Sequence, residues 1–148
     1  MANYCCATRT NYFRVKDPDE FRSFMRKVLC SEDKIDVWEK RGADGVTRFG
    51  FGCYGEILGL GIGPQTEDSY DYYDDFSLED FVNGLSELVA KDDAIIIMES
   101  GNEKLRYVTG YAIVITSGGS DYIDIGDAAV ARAREFLANE NWATDVSY

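Results

Sequence analysis

The segment AIIIM at positions 94–98 is the feature that most restricts the fold of this chain. An uninterrupted β-branched run is typical of a strand that is covered on both faces or central in its sheet. Apolar and polar residues instead alternate along 34–40 and 46–58, where Phe49, Phe51 and Cys53 share one side. A central apolar strand together with alternating strands predicts a sheet that buries one face.

Three segments have the signals of amphipathic helices. In the first, Asp17 is the predicted N-cap and Pro18 occupies the first helical position. Apolar residues at helical spacing then define its buried face: Phe21, Phe24, Met25, Val28 and Leu29. In the second helix, which Ser77 caps, the corresponding residues are Phe81, Leu85, Leu88 and Val89. Asp127 is the predicted cap of the third, whose inward-facing residues are Val130, Ala133, Phe136 and Leu137.

Turn residues join the strands into hairpins. RGADG (41–45) lies inside the first hairpin, and GGS (118–120) lies inside the second. The predicted order is therefore βαββαβββα, an α+β fold with a mostly antiparallel sheet and helices on one face. This is the order of a ferredoxin-like split βαβ core that is extended by a C-terminal hairpin and helix. With 148 residues, we expect a single domain over 1–148.

The charge of the chain, −12, is unevenly distributed. Residues 1–48 hold ten Lys and Arg against eight Asp and Glu, whereas residues 49–148 hold five against nineteen. A negative field of this kind repels phosphate backbones and attracts basic surfaces. The charge therefore favours a basic protein partner and argues against direct binding of nucleic acid.

The chain contains no histidine, which excludes Ser-His and Cys-His nucleophiles and histidine-based zinc sites. The four cysteines form no C-x-x-C pair, so we expect free thiols and predict neither a metal ion nor another cofactor. Cys5 and Cys6 should point to opposite faces of a strand. Because no apolar run approaches bilayer length and no targeting segment is evident, the expected location is the cytoplasm.

The motif GFGCYG at 50–55 matches the glycine spacing G-x-G-x-x-G of dinucleotide-binding loops. Such a loop requires a helix that begins on the motif, whereas strand alternation continues through these residues. A strand face lined by glycine is therefore the favoured interpretation.

The segment 64–80 combines carboxylates with tyrosines and contains no Lys or Arg. Its spacing does not fit a calcium loop, because a central glycine is missing. Tyrosine area and acidic charge together suit a docking surface for a basic partner, although a solvated loop explains them equally well. The predicted partner-binding residues, called the acidic-tyrosine segment below, are Glu67, Asp68, Tyr70, Asp71, Tyr72, Tyr73, Asp74 and Asp75.

A second candidate site follows the apolar strand, where loops at strand ends often carry function. Its residues would line a pocket for a small ligand or substrate: Glu99, Glu103, Lys104 and Arg106. A solvated polar connection is the alternative interpretation of these charges.

Three stretches carry a resemblance: DPDEFRSFM (17–25), FGFGCYGEILG (49–59) and DDAIIIMESGNEKLRYVTGYAIVITS (92–117). They resemble a group of small acidic proteins carried on mobile elements of gut bacteria. The resemblance implies a context in which accessory proteins often counter host defence, and it implies no site residues.

The sequence thus favours a non-enzymatic acidic protein that engages a basic, possibly nucleic-acid-binding, protein by occupying the place of phosphates. Two alternatives stay open. One is a small enzyme or ligand-binding domain with a pocket near the loop 99–104, and the other is a homo-oligomeric structural protein. The sequence does not determine the oligomeric state.

Overall fold

A computed structural model describes residues 4–32, 34–63, 75–105 and 107–144 of the chain. The described elements follow one another as β1 (Cys5–Thr10), α1 (Pro18–Met25), β2 (Val28–Cys30), β3 (Asp36–Arg41), β4 (Thr47–Tyr54), β5 (Ile57–Ile62), β6 (Asp75–Ser77), α2 (Leu78–Leu88), β7 (Ile95–Glu103), β8 (Tyr107–Thr116), β9 (Gly119–Asp124) and α3 (Ile125–Leu137).

Six strands form one antiparallel sheet in the order β3-β4-β1-β7-β8-β9. Strand β4 lies between β1 and β3, which is the arrangement of a split βαβ unit, and the β8-β9 hairpin extends the sheet beyond β7. The predicted α+β class is confirmed. The predicted order is matched by β1, α1, β3, β4, α2, β7, β8, β9 and α3.

A second, three-stranded sheet, β2-β5-β6, was not predicted. It arises because α1 ends at Met25, so that Val28 and Leu29 pair with β5 instead of continuing the helix as expected. The predicted strand 46–58 is also divided in two. Gly55, whose φ of +132° disfavours other residues, turns the chain out of the large sheet between β4 and β5.

The caps of two helices are confirmed, and that of the third is corrected. Asp17 accepts hydrogen bonds from the amides of Asp19 and Glu20, and Ser77 accepts one from the amide of Asp80. Helix α3 is capped by Asp124 instead of Asp127. Asp124 accepts a hydrogen bond of 3.0 Å from the Asp127 amide, so the predicted cap lies within the first turn.

The core lies between one face of the large sheet and helices α1 and α2. Aromatic rings dominate it, with centroids 4.8 Å apart for Phe21 and Phe49 and 6.1 Å apart for Phe51 and Phe81. The fully buried phenylalanines are Phe13, Phe21, Phe49, Phe51 and Phe81. In the described ranges, no helix is long and apolar enough to cross a lipid bilayer.

The C-terminal helix differs from its prediction. Phe136 is 81% exposed and Leu137 is 55% exposed, so the inward orientation expected for them is wrong. Helix α3 packs beside β8 and β9 at the end of the sheet, and none of its residues is buried. The Arg132 guanidinium instead lies 5.3 Å from the centroid of the Phe136 ring.

The core supports a matched test of stability. We expect Phe81→Ala to lower the free energy of unfolding by about 3–5 kcal/mol, because it leaves a cavity among fully packed rings. Phe136→Ala makes the same chemical change on an exposed ring and should change that free energy by less than about 0.5 kcal/mol. Urea denaturation checks both, and equal losses would contradict the assignment of the core.

Candidate functional site

The face of the large sheet that α1 and α2 leave uncovered contains a trough of about 770 Å³. We call it the open-face trough. The strand register assigns these lining residues to that face: Ala7, Arg9, Asp36, Trp38, Gly52, Met98, Ser100, Gly110, Ala112 and Ile123. Ile125 and Ala128, in the first turns of α3, border one end of it.

Small residues create the hollow. The predicted glycine-lined face of β4 is present, and the Trp38 ring lies against it: a β-carbon at Gly52 would be 2.9 Å from that ring. A β-carbon at Gly110 would be 3.2 Å from Ile125, at the other end. Between these ends, Ala7 and Ala112 leave the floor of the trough low. The trough therefore depends on short side chains in the central strands.

Two charged side chains flank Gly52 in the trough. Arg9 on β1 and Asp36 on β3 are both register partners of Gly52. The Arg9 guanidinium lies 5.4 Å from the Trp38 ring centroid, and its Nε donates to the Thr10 carbonyl at 3.4 Å. Asp36 faces Lys34 at 3.8 Å, whereas Arg9 has no carboxylate partner among the residues that the structure describes. Arg9 thus offers donors to a ligand.

The opposite face of the same strands carries a polar group of residues that we call the Glu99 cluster: Tyr4, Cys6, Glu56, Glu99 and Tyr111. The Glu99 side chain is only 5% exposed. Its carboxylate accepts hydrogen bonds from the Tyr111 hydroxyl at 2.7 Å and from the Tyr4 hydroxyl at 3.1 Å. The hydroxyl groups of two tyrosines therefore hold the buried Glu99 carboxylate in place.

The register explains how these residues meet. Glu99 is directly opposite Thr8 on β1 and Tyr111 on β8, and residues opposite each other share a face. Gly101, the partner of Cys6, leaves room for Tyr4: a β-carbon there would lie 2.7 Å from the Tyr4 hydroxyl oxygen. Glu99 therefore directs its side chain away from the open-face trough and reaches the trough through its backbone.

The thiols at this end of the core are held in their neutral form. Burial raises the pKa of Cys6 to about 11, with the negative charges of Glu99 and Glu56 adding to the effect. Burial also raises the pKa of Cys53 to about 12, with a further contribution from Cys30. The pKa of Tyr111 is raised by burial and then by Glu99. Cys6 therefore lies beside two carboxylates whose negative charge opposes ionisation of its thiol.

The cluster contains atoms that could hold a metal ion. Cys6 Sγ and one carboxylate oxygen each of Glu56 and Glu99 all lie within 4.8 Å of one another. This group is not evident from the sequence, because the three residues belong to distant segments and no local spacing connects them.

The predicted pocket residues are only partly brought together. Glu99 lines the trough, but Glu103 and Lys104 lie at the far end of β7 and are not among its lining residues. Lys104 has a φ of 52° in the turn after β7, and Arg106 lies outside the described residues. Small residues at every second position, Gly50 and Gly52 in β4 and Gly110 and Ala112 in β8, were the signal that could have located the trough.

The acidic-tyrosine segment falls almost entirely outside the described residues, which exclude positions 64–74. Only Asp75 is described. It is exposed, begins β6 and accepts a hydrogen bond from the Phe76 amide at 2.8 Å. The role predicted for this segment stays a prediction.

Comparison with known proteins found no matching family model, no similar curated protein and no similar solved structure.

The hydrogen bonds of Glu99 can be tested by removing one hydroxyl. We expect Tyr111→Phe to lower the free energy of unfolding by about 1–3 kcal/mol, because it leaves a buried carboxylate oxygen without its donor. Tyr122 lies beside Tyr111, with ring centroids 5.2 Å apart, and is 57% exposed. Tyr122→Phe is the control and should change stability by less than about 0.5 kcal/mol in the same denaturation experiment. Equal free energies of unfolding for Tyr111→Phe and Tyr122→Phe would contradict the geometry of the cluster.

Proposed function

We propose that this protein is a ligand-binding domain that takes a small amphipathic carboxylate in the open-face trough. The observation that carries the proposal is an apolar hollow that contains one guanidinium group. Its volume of about 770 Å³ falls within the usual range of small-molecule sites, which is about 300–1,000 Å³.

The apolar part of the ligand would lie over β7, β8 and β9. Met98 is 50% exposed and Ile123 is 45% exposed, so apolar surface in the trough remains in contact with water. Burial of a methylene group contributes about 0.8 kcal/mol, which corresponds to about a fourfold gain in affinity. Most of the binding free energy would therefore come from the apolar chain of the ligand.

The carboxylate of the ligand would bind Arg9. The Arg9 guanidinium lies over the Trp38 ring, and its terminal nitrogens have no carboxylate partner in the described ranges. A guanidinium forms paired hydrogen bonds with a carboxylate. Since the chain carries a charge of −12, its long-range field opposes an anion, and Arg9 acts at contact distance only.

The test follows Trp38 fluorescence in a Trp142→Phe background, which leaves Trp38 as the only tryptophan. Octanoate, decanoate and dodecanoate, each below its micelle concentration, should bind with affinity rising by up to about fourfold per methylene. Arg9→Gln should weaken decanoate binding by about tenfold, because a charged hydrogen bond is lost, and should leave decanol binding unchanged. Ala112→Phe should abolish the binding of both decanoate and decanol, because the phenylalanine ring would fill the trough.

Arg26→Gln is the matched control, since Arg26 is an exposed arginine at the end of α1, on the other side of the sheet. It should bind decanoate as the unaltered protein does. If decyltrimethylammonium binds more strongly than decanoate, the carboxylate proposal is wrong and the trough takes a cationic ligand held by Asp36. Binding that is insensitive to both Arg9→Gln and Ala112→Phe would contradict the proposed site.

The docking of a basic, possibly nucleic-acid-binding, protein on the acidic-tyrosine segment is a separate proposal, supported by composition and charge. This proposal is consistent with the mobile-element context and the cytoplasmic location that are expected from the sequence. A complex captured from the native host should weaken steeply as salt rises, since surface charges are screened. Changing Asp71, Asp74 and Asp75 together to Asn should weaken it further. A complex that is insensitive to salt and to the triple change would exclude this mode of binding.

A further inference from the structure

We infer that the Glu99 cluster is a binding site for a zinc ion, with Cys6, Glu56 and Glu99 as its protein ligands. This site lies on the opposite face of the sheet from the open-face trough and does not depend on the ligand proposed there.

The three donors differ in chemistry and come from three separate parts of the fold. Cys6 lies in β1, Glu56 in the connection between β4 and β5, and Glu99 in β7. Their donor atoms lie within 4.8 Å of one another. In a tetrahedral site with Zn–S near 2.3 Å and Zn–O near 2.0–2.2 Å, two donors on one ion lie about 3.4–3.7 Å apart. Zinc binding would therefore draw the donors together by at most about 1.4 Å, through rotation of the half-buried Glu56 side chain in its connection between strands.

Glu99 is already oriented as a ligand. Tyr4 and Tyr111 each donate to one of its carboxylate oxygens, and the supporting hydrogen bonds of metal-bound carboxylates are of this kind. A metal-bound oxygen can keep such a bond because it has a second lone pair. The tyrosines therefore fix the position of the carboxylate without preventing coordination.

The cluster also lacks a positive charge. Neutral hydroxyl groups do not cancel the charge of a carboxylate, and a buried charge is costly unless it is paired. None of the ion pairs between described residues includes Glu56 or Glu99. A divalent cation would supply the missing charge to a thiol and two carboxylates that face one another.

The chemistry of binding balances without an oxidant or reductant. The Cys6 thiol loses its proton to solvent as the sulfur–zinc bond forms, and the two carboxylates bind as anions. Three protein ligands leave one position of a tetrahedral ion for water. Because Glu56 lies where the chain leaves the large sheet for the small one, the ion would also link the two sheets and stabilise the fold.

The experiment uses the full chain, freed of metal with a chelator, and titrates zinc against a chromophoric competitor. We expect one zinc ion per chain and a rise in Tm when zinc is added. Cys6→Ser and Glu56→Gln should each weaken binding by more than about tenfold and abolish the rise in Tm. Cys5→Ser is the matched control, because Cys5 is adjacent in β1 but exposed on the other face, and it should bind zinc normally.

Cobalt distinguishes this site from binding to surface carboxylates. Cobalt held by Cys6 should give a thiolate-to-metal absorption band in the near ultraviolet, which Cys6→Ser removes and Cys5→Ser keeps. If Cys6→Ser does not fold, Glu56→Gln, at a half-exposed position, carries the test through the loss of zinc affinity. Absence of stoichiometric binding, or binding that both Cys6→Ser and Glu56→Gln leave unchanged, would overturn the inference.

Discussion

The pairing of β1 with β4 on one side and β7 on the other is the constraint on which the rest of the structure depends. Side chains of adjacent strand residues point to opposite faces, so this register places Thr8 beside Glu99 and Arg9 beside Met98. A shift of one residue would exchange the faces of the whole strand. Both candidate sites therefore depend on the same set of backbone hydrogen bonds.

The two faces then differ because of the residues that neighbouring strands contribute. On one face, Phe49 packs against Phe21 of α1 and Phe51 packs against Phe81 of α2, and all four rings are fully buried. On the other, Ala7 and Ala112 contribute little volume at the centre, while the Trp38 ring lies against Gly52 at one end. A tightly packed core thus supports an apolar hollow, which is an arrangement suited to a ligand site on a rigid sheet.

Elements that are determined by neighbouring residues were predicted correctly from the sequence. Asp17 and Pro18 determine the start of α1 through capping and the fixed φ of proline, and both act within a few residues. Val28 and Leu29 fit a helical face as well as a strand, so spacing could not exclude β2. Its pairing with β5 decided the outcome, and β5 begins only because Gly55 turns the chain after β4.

The sites were less predictable because their residues meet through tertiary structure. Glu99 was identified from its position after a buried apolar run, which is a local feature. Its proximity to Cys6 and Glu56 depends on the pairing of β1 with β7 and on the turn at Gly55, neither of which has a local pattern. The glycine-lined face of β4 was predicted, but only the pairing of β3 with β4 shows that the Trp38 ring lies against it.

The most direct measurement of the central claim is an amide NMR map of the full chain with decanoate added stepwise. The account predicts progressive, saturable shifts at Arg9, Met98, Ala112 and Ile123, which alternate along strands β1, β7, β8 and β9 with residues that shift less. It predicts no comparable response in the groove between α1 and α2, lined by Phe24 and Gly84. Shifts centred on that groove, or no saturable shifts at all, would contradict it.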